Sequence, residues 1–236
     1  MPLCKSEGAM KYIVLWLEGP LQSWGEFSKY GRRETLKFPT KSGIYGILLA
    51  AMGAKGPQEE LLAKMAHLPQ KVLSFGSPSQ MMDFHMVGSG YDPSDPWQRL
   101  AMARKADGKV PNTGGSKMTY RYYLQDAKFA IIQSITEDLV ESVIEGLTQP
   151  VYSPSLGRKS CVPTEYLYQG VYESQEEAEA HAKSIAQQKG VQLSFIVEES
   201  KGANPWDLVV HDVPISFGSQ KKYTSRHVVE IEHGET

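Results

Sequence analysis

The 236-residue chain predicts an α+β fold. Three observations carry that expectation. Short apolar runs rich in β-branched and aromatic residues recur along the chain. Segments with helical apolar spacing stand between them. The order of these segments is strand, helix, strand, strand, helix, strand, followed by a tail of further short strands.

Lys11–Leu17 (KYIVLWL) is apolar on both faces and reads as a central strand covered on both sides. Glu18–Phe38 is a loop rich in Gly, Ser and charge, and Ser42–Met52 reads as a buried helix. Pro57 opens a second helix with Glu59 and Glu60 in its first turn and Leu61, Leu62, Met65 and Leu68 on one face. Lys71–Phe75 is a strand. From Gly76 to Thr119 no periodic run persists, but Met81–Val87 and Met118–Leu124 have the pattern of two hairpin arms around a long excursion. Ala127–Ser134 is the next strand, and Thr136 caps a helix through Leu147. A loop, Pro150–Pro163, leads to a strand over Glu165–Tyr172.

That order is the ferredoxin-like (RRM-like) βαββαβ arrangement, with Gly76–Leu124 inserted between its second and third strands. Ser174 and Glu177 form a capping box for a helix through Gln188. The alternation at Val191–Val197 and the runs Leu208–Val213 and Arg226–Glu232 are short strands. The expected division is a leader or tag-like segment 1–9 and a main domain 10–172 carrying an inserted hairpin thumb at 77–119. A small β-rich C-terminal appendage follows at 173–236, expected as a second sheet beside the first.

Composition excludes several classes. Apolar residues make up 41% and charged residues 22%, so the chain is not disordered, and no run is long enough to cross a bilayer. The two cysteines, Cys4 and Cys161, exclude a disulfide framework and a cysteine zinc site; without a secretion signal, the expected compartment is the cytoplasm. The six histidines show no HxH, HExxH or HxxxH spacing, so no metal or other cofactor is expected. Thr40-Lys41-Ser42-Gly43 opens a helix, but position 36 is Leu where a P-loop needs Gly. Ser42 there is either an anion ligand or simply the helix cap.

Net charge is only −2, yet the charge is sorted. Pro20–Gly46 holds five basic residues against two acidic, and Gly88–Arg121 holds six against three. Arg158 and Lys159 lie together in a glycine loop, whereas acids crowd the helices at Glu137–Glu145 and Glu173–Glu179. Basic loops interleaved with Trp24, Trp97, Tyr120, Tyr122 and Tyr123 suit phosphate attraction and base stacking. The same loops also fit solvated surface around core aromatics. Pro154–Cys161 (PSLGRKSC) is the most distinctive stretch, a compact phosphate cradle or else an ordinary turn. A hairpin would bring His85 towards Lys117 and Tyr120, the makings of a general base for RNA cleavage, although a lone strand histidine is more often structural.

Several separated segments together resemble one family. They are Gly19–Gly53 (GPLQSWGEFSKYGRRETLKFPTKSGIYGILLAAMG), Tyr120–Phe129 (YRYYLQDAKF), Pro154–Pro163 (PSLGRKSCVP) with Leu167-x-x-Gly170, and the pair Ser225-Arg226. In this order they are similar to the CasD family of type I-E CRISPR Cascade complexes, within the RAMP superfamily of RNA-binding proteins. The likeness runs from Met10 to about Ile231 and is weakest in the hairpin tip and in Ser174–Lys189.

The resemblance implies a non-catalytic subunit for antiviral defence. Such a subunit caps the 5′ handle of the CRISPR RNA, contacts the large subunit CasA and the backbone subunit CasC, meets target DNA only indirectly, and kinks the guide with its thumb. Carried onto this chain, it implies RNA contacts by Trp24, Arg32, Arg33, Lys41 and Ser42 in and after the first loop. Gly157, Arg158 and Lys159 would act in the glycine turn, and Arg99, Arg104, Lys105 and Lys109 in the thumb. Arg121 on a hairpin arm and Arg226 on the last strand complete the set. A sister group in type I-C systems cuts its own precursor without metal, using Tyr, Lys and His; that endoribonuclease is the alternative. A protein scaffold without RNA contact accounts for the fold but not for the sorted charge.

Overall fold

The computed structural model describes residues 10–25, 31–87, 90–102, 104–105, 107–109, 117–202 and 204–233. The leader-like segment 1–9 lies outside the described residues. In chain order the elements are β1 (Met10–Glu18), β2 (Leu21–Gln22), β3 (Arg32–Arg33), α1 (Lys41–Ala51), α2 (Glu59–Met65), β4 (Gln70–Phe75), β5 (Ser79–Val87) and α3 (Pro96–Ala101). They continue as β6 (Lys117–Gln125), β7 (Lys128–Thr136), α4 (Glu137–Thr148), β8 (Tyr168–Tyr172), α5 (Gln175–Gln188), β9 (Leu193–Glu199), β10 (Leu208–Ser216) and β11 (Lys222–Glu232).

One seven-stranded sheet runs β10-β11-β9-β4-β7-β1-β8. Every pairing within it is antiparallel. β1 and β7 are interior strands of it, and their residues are buried on both faces. On one face Ile13, Leu15, Leu17, Phe129 and Ile131 meet α1 through Ile44 and Leu48 and α4 through Val143. On the other, Val14, Trp16, Leu73 and Ile132 meet Ala178, Ala182 and Ile185 of α5. α4 reaches α1 closely because residue 146 is Gly: a Cβ there would lie 3.0 Å from the Met52 backbone nitrogen.

The separate C-terminal sheet expected from the sequence does not form. β9 pairs with β4, and β11 and β10 extend the same sheet outwards. Alternation marks a strand but does not name its neighbour, and β4 offered an open edge. The helix expected from Ser42 begins at Lys41, capped by the Thr40 hydroxyl accepting from Gly43 N–H. The strand expected from Glu165 begins at Tyr168.

The hairpin arms pair as expected. β5 and β6 run antiparallel from Ser79↔Gln125 to Val87↔Lys117. Along the other edge of β6 lie β2, antiparallel, and β3, parallel, which fold the first loop onto this second, four-stranded sheet. No helix among the described residues is long and apolar enough to cross a membrane.

Candidate nucleic-acid interface

The two motif loops meet. Ser23 N–H donates to Leu156 O at 3.0 Å, which seats the Pro154–Cys161 turn on the Trp24 loop. The turn closes on itself: Leu156 N–H donates to Cys161 O at 2.7 Å and Cys161 N–H to Arg158 O at 2.8 Å. Buried Leu156 and Cys161 anchor its ends; Gly157 and Lys159 are exposed and Arg158 is half-buried, and burial pushes the Cys161 thiol pKa up. Residue 157 has to be Gly: its φ is +91°, and a Cβ would sit 1.8 Å from the Ser23 carbonyl oxygen.

Beside this junction runs a groove of about 1180 Å³. Its walls are the Ser23–Gly25 loop, the start of α1 at Thr40, Ser42 and Gly43, and the turn Pro154–Lys159. Four basic side chains line it, Arg33, Arg158, Lys159 and Lys221, against one acidic, Glu34. Tyr152 and Tyr223 add aromatic surface. An open groove with basic residues and rings in its wall suits a single nucleic-acid strand.

Arg158 is held in place. Its guanidinium lies over the Tyr123 ring, 4.5 Å from the centroid, and Nη2 donates to Arg33 O at 2.9 Å. Nη1 has no partner among the described residues. Arg32 lies over the Tyr122 ring at 5.1 Å and pairs with Glu34 at 2.7 Å. β3 places Arg33 level with Arg121 on β6, whose other neighbour is Asp83 of β5. Lys159 is exposed, and Ser42 is half-buried at the groove wall.

Three residues expected at the RNA are buried and bonded within the fold. Trp24 is 1% exposed, donates from Nε1 to Gln22 Oε1 at 3.1 Å and packs under Gly43, so its ring is core although the residue borders the groove. Lys41 is likewise 1% exposed; its Nζ is held by Glu199 at 2.8 Å and by Ala66 O at 2.9 Å, and burial lowers its pKa. Arg226 forms a two-pronged pair with Asp212, at 2.8 and 2.9 Å, and also meets Glu199. Burial opposes its charge, but the Asp212 and Glu199 carboxylates outweigh that and raise its pKa. Neither cation is free to meet a phosphate.

This network has a positioning role. Asp212 Oδ2 also accepts the Lys41 backbone N–H at 2.7 Å, so a carboxylate on β10 caps the first turn of α1. The C-terminal strands thereby fix the helix end that walls the groove.

Arg99 on α3 and Arg104, Lys105 and Lys109 beyond it are exposed, but none lines the groove. Lys221 and Tyr223 were not in the expected set. They arrive with the β10–β11 turn, and the Lys221-Lys222 pair was the only sign of them in the sequence. The proposed general base finds only part of its constellation. His85 stands across from Thr119, whereas Tyr120 stands across from Phe84 at a ring distance of 5.4 Å. Neighbouring positions of a strand face opposite ways, so His85 and Tyr120 lie on opposite faces of the ribbon.

Residues 12–229 match the family model described as CRISPR-associated protein (Cas_Cas5). The chain is 26% identical to the CRISPR system Cascade subunit CasD of Escherichia coli (strain K12), over 93% of this chain and 98% of that protein. Its fold resembles a chain of a solved CRISPR RNA-guided surveillance complex, with a TM-score of 0.69 and 25% identity, over 94% of this chain and 90% of that one. A crystal structure of a Cas protein matches with a TM-score of 0.60 and 24% identity, over 94% of each chain. The chain belongs to the Cas5 family of CRISPR-associated proteins.

Proposed function

We propose that the chain is a non-catalytic subunit of a Cascade-type surveillance complex, where its basic groove holds the 5′ handle of the CRISPR RNA. The observation that carries this reading is the meeting of Arg33, Arg158, Lys159 and Lys221 in one groove, in a chain whose net charge is −2. The likeness to an Escherichia coli CasD and to a surveillance-complex chain supports it. In this reading Arg33, Arg158 and Lys159, joined by Lys221, contact handle phosphates, with Arg32, Ser42 and Arg121 beside them and Gly157 allowing close backbone approach.

The strand order β4-β7-β1-β8, with α1 and α2 between β1 and β4 and α4 between β7 and β8, supports a ferredoxin-like frame over 10–172. Residues 173–236 are then its β-rich appendage. The β5–β6 ribbon is the proposed thumb that kinks the guide, with Arg99, Arg104, Lys105 and Lys109 towards its tip. CasA and CasC are the proposed protein partners, the cytoplasm the compartment and antiviral defence the role.

The endoribonuclease reading is disfavoured by His85 and Tyr120 facing opposite ways. Incubating the purified chain with labelled CRISPR repeat RNA and chelator, then running native and denaturing gels, tests both readings. Retained, intact RNA is expected. Discrete cleavage within the repeat makes the chain a processing nuclease, and absence of any RNA retention removes the handle-binding role.

A further inference from the structure

The sheet carries a second groove, of about 730 Å³, beside α4 at its β8 end. β1 is buried along most of its length, but every residue of β8 is half-exposed, and among the described residues no strand pairs with the outer edge of β8. Val140, Ile144 and Val171 form an apolar floor. Glu137, Glu141 and Glu145 stand along its rim one helical turn apart.

These three carboxylates have no ion pair among the described residues; the only cation lining the groove, Lys11, is paired with Glu173. Like charges one turn apart destabilise a helix; Lys11 attracts Glu137 across the groove, whereas Glu141 and Glu145 form no ion pair among the described residues. RNA is repelled from such a rim. A second copy related by a two-fold axis would bring carboxylates against carboxylates.

We infer that this groove docks a basic amphipathic helix of another protein subunit, which lies alongside α4. Its apolar stripe meets Val140, Ile144 and Val171, and its Lys and Arg residues meet Glu137, Glu141 and Glu145. The inference rests on the reading of the chain as a subunit of a larger complex, and it assigns the acidic groove to protein as the basic groove is assigned to RNA.

The test is carboxyl footprinting. The full chain, tagged, is isolated from CRISPR-expressing cells with whatever assembles on it. That assembly and the isolated chain are labelled with carbodiimide and glycine ethyl ester, and the peptides are read by mass spectrometry. Labelling of Glu141 and Glu145 is expected to fall severalfold in the assembly, while exposed Glu176 and Glu177 on α5 label equally in both. A photo-crosslinker at Glu141 is expected to capture a Lys- or Arg-bearing helical peptide of a different subunit.

Glu141→Lys with Glu145→Lys is expected to release that subunit while the guide RNA stays bound. The variant should fold, since a Lys one turn after Glu137 replaces a repulsive pair with a favourable one. An assembly that forms while Glu141 and Glu145 label fully overturns this inference alone. So does a crosslink to RNA or to a second copy. A chain recovered without any partner overturns the complex reading and this inference together.

Discussion

The guanidinium of Arg158 rests on the ring of Tyr123 at 4.5 Å and reaches the backbone carbonyl of Arg33 at 2.9 Å. One side chain thus ties the glycine turn to the hairpin arm and to the first loop. Arg158→Lys keeps the charge but loses the planar stack and the fixed fork. A loss of about 1 kcal/mol of stability is expected, the scale of one partly exposed cation–π contact, together with weaker RNA retention. Chemical denaturation and filter binding measure the two effects.

Lys159 and Lys221 reach the same groove from separate loops and form no ion pair among the described residues. Replacing either with Ala should leave the melting temperature unchanged. Each replacement should lower the slope of log affinity against log salt by about 0.7, the value for one lost phosphate contact on single-stranded nucleic acid. An unchanged slope would remove that lysine from the interface.

Asp212 is 3% exposed and serves both Arg226 and the first N–H of α1. Asp212→Ala leaves a buried guanidinium short of its main partner. A loss of about 3–5 kcal/mol is expected, as for breaking a buried pair by removing one member. Urea denaturation of the full chain gives the number, and a loss below about 1 kcal/mol would mean that Glu199 alone suffices.

Gly157→Ala should cost more than about 1 kcal/mol, because the added carbon meets a backbone carbonyl at a φ that Ala adopts poorly. Since the turn must then leave Ser23, RNA retention should fall in parallel with stability. The melting temperature and the retained guide, measured on the same preparation, check both.

Stability should also fall in acid. At Glu18, burial pushes the carboxyl pKa up, but donors from Trp16 and Lys189 outweigh it and hold the pKa below the ordinary glutamate value. Glu179 is lowered in the same way, burial being outweighed by Lys71 and Gln175. A depressed carboxyl stabilises the fold above its unfolded pKa, and that contribution is lost as pH falls through the folded value. Thermal melts should therefore drop below about pH 4.5, and Glu18→Gln should flatten that limb; a melting temperature constant to pH 3 would contradict the assignment.

The central strands were legible because burial on both faces writes an apolar run into the sequence, as at Lys11–Leu17. The hairpin arms and the glycine turn were legible from alternation and from a turn glycine followed by two basic residues. The fate of individual cations was not. Lys41 reads as a helix-start anion ligand, yet its partner Glu199 stands 158 positions later in the chain. Arg226 and Asp212 are 14 positions apart on strands whose pairing only the folded sheet determines. Trp24 looks like a stacking platform in a basic loop, and it is core because Gly43 lets the helix close over its ring. The path of β9 was hidden for a similar reason: its pattern says strand, while its place beside β4 depends on an edge that the β5–β6 excursion leaves open.

The central claim is that the groove between the Trp24 loop and the Gly157 turn binds the CRISPR RNA handle. It is tested most directly by measuring RNA retention of the full chain carrying Lys159→Glu and Lys221→Glu together. The comparison is a chain carrying Lys64→Glu and Lys183→Glu, exposed lysines elsewhere on the surface. The net charge changes equally in both. Loss of the handle RNA in the first protein and retention in the second is the predicted result. Equal retention in the two would contradict the assignment of the groove.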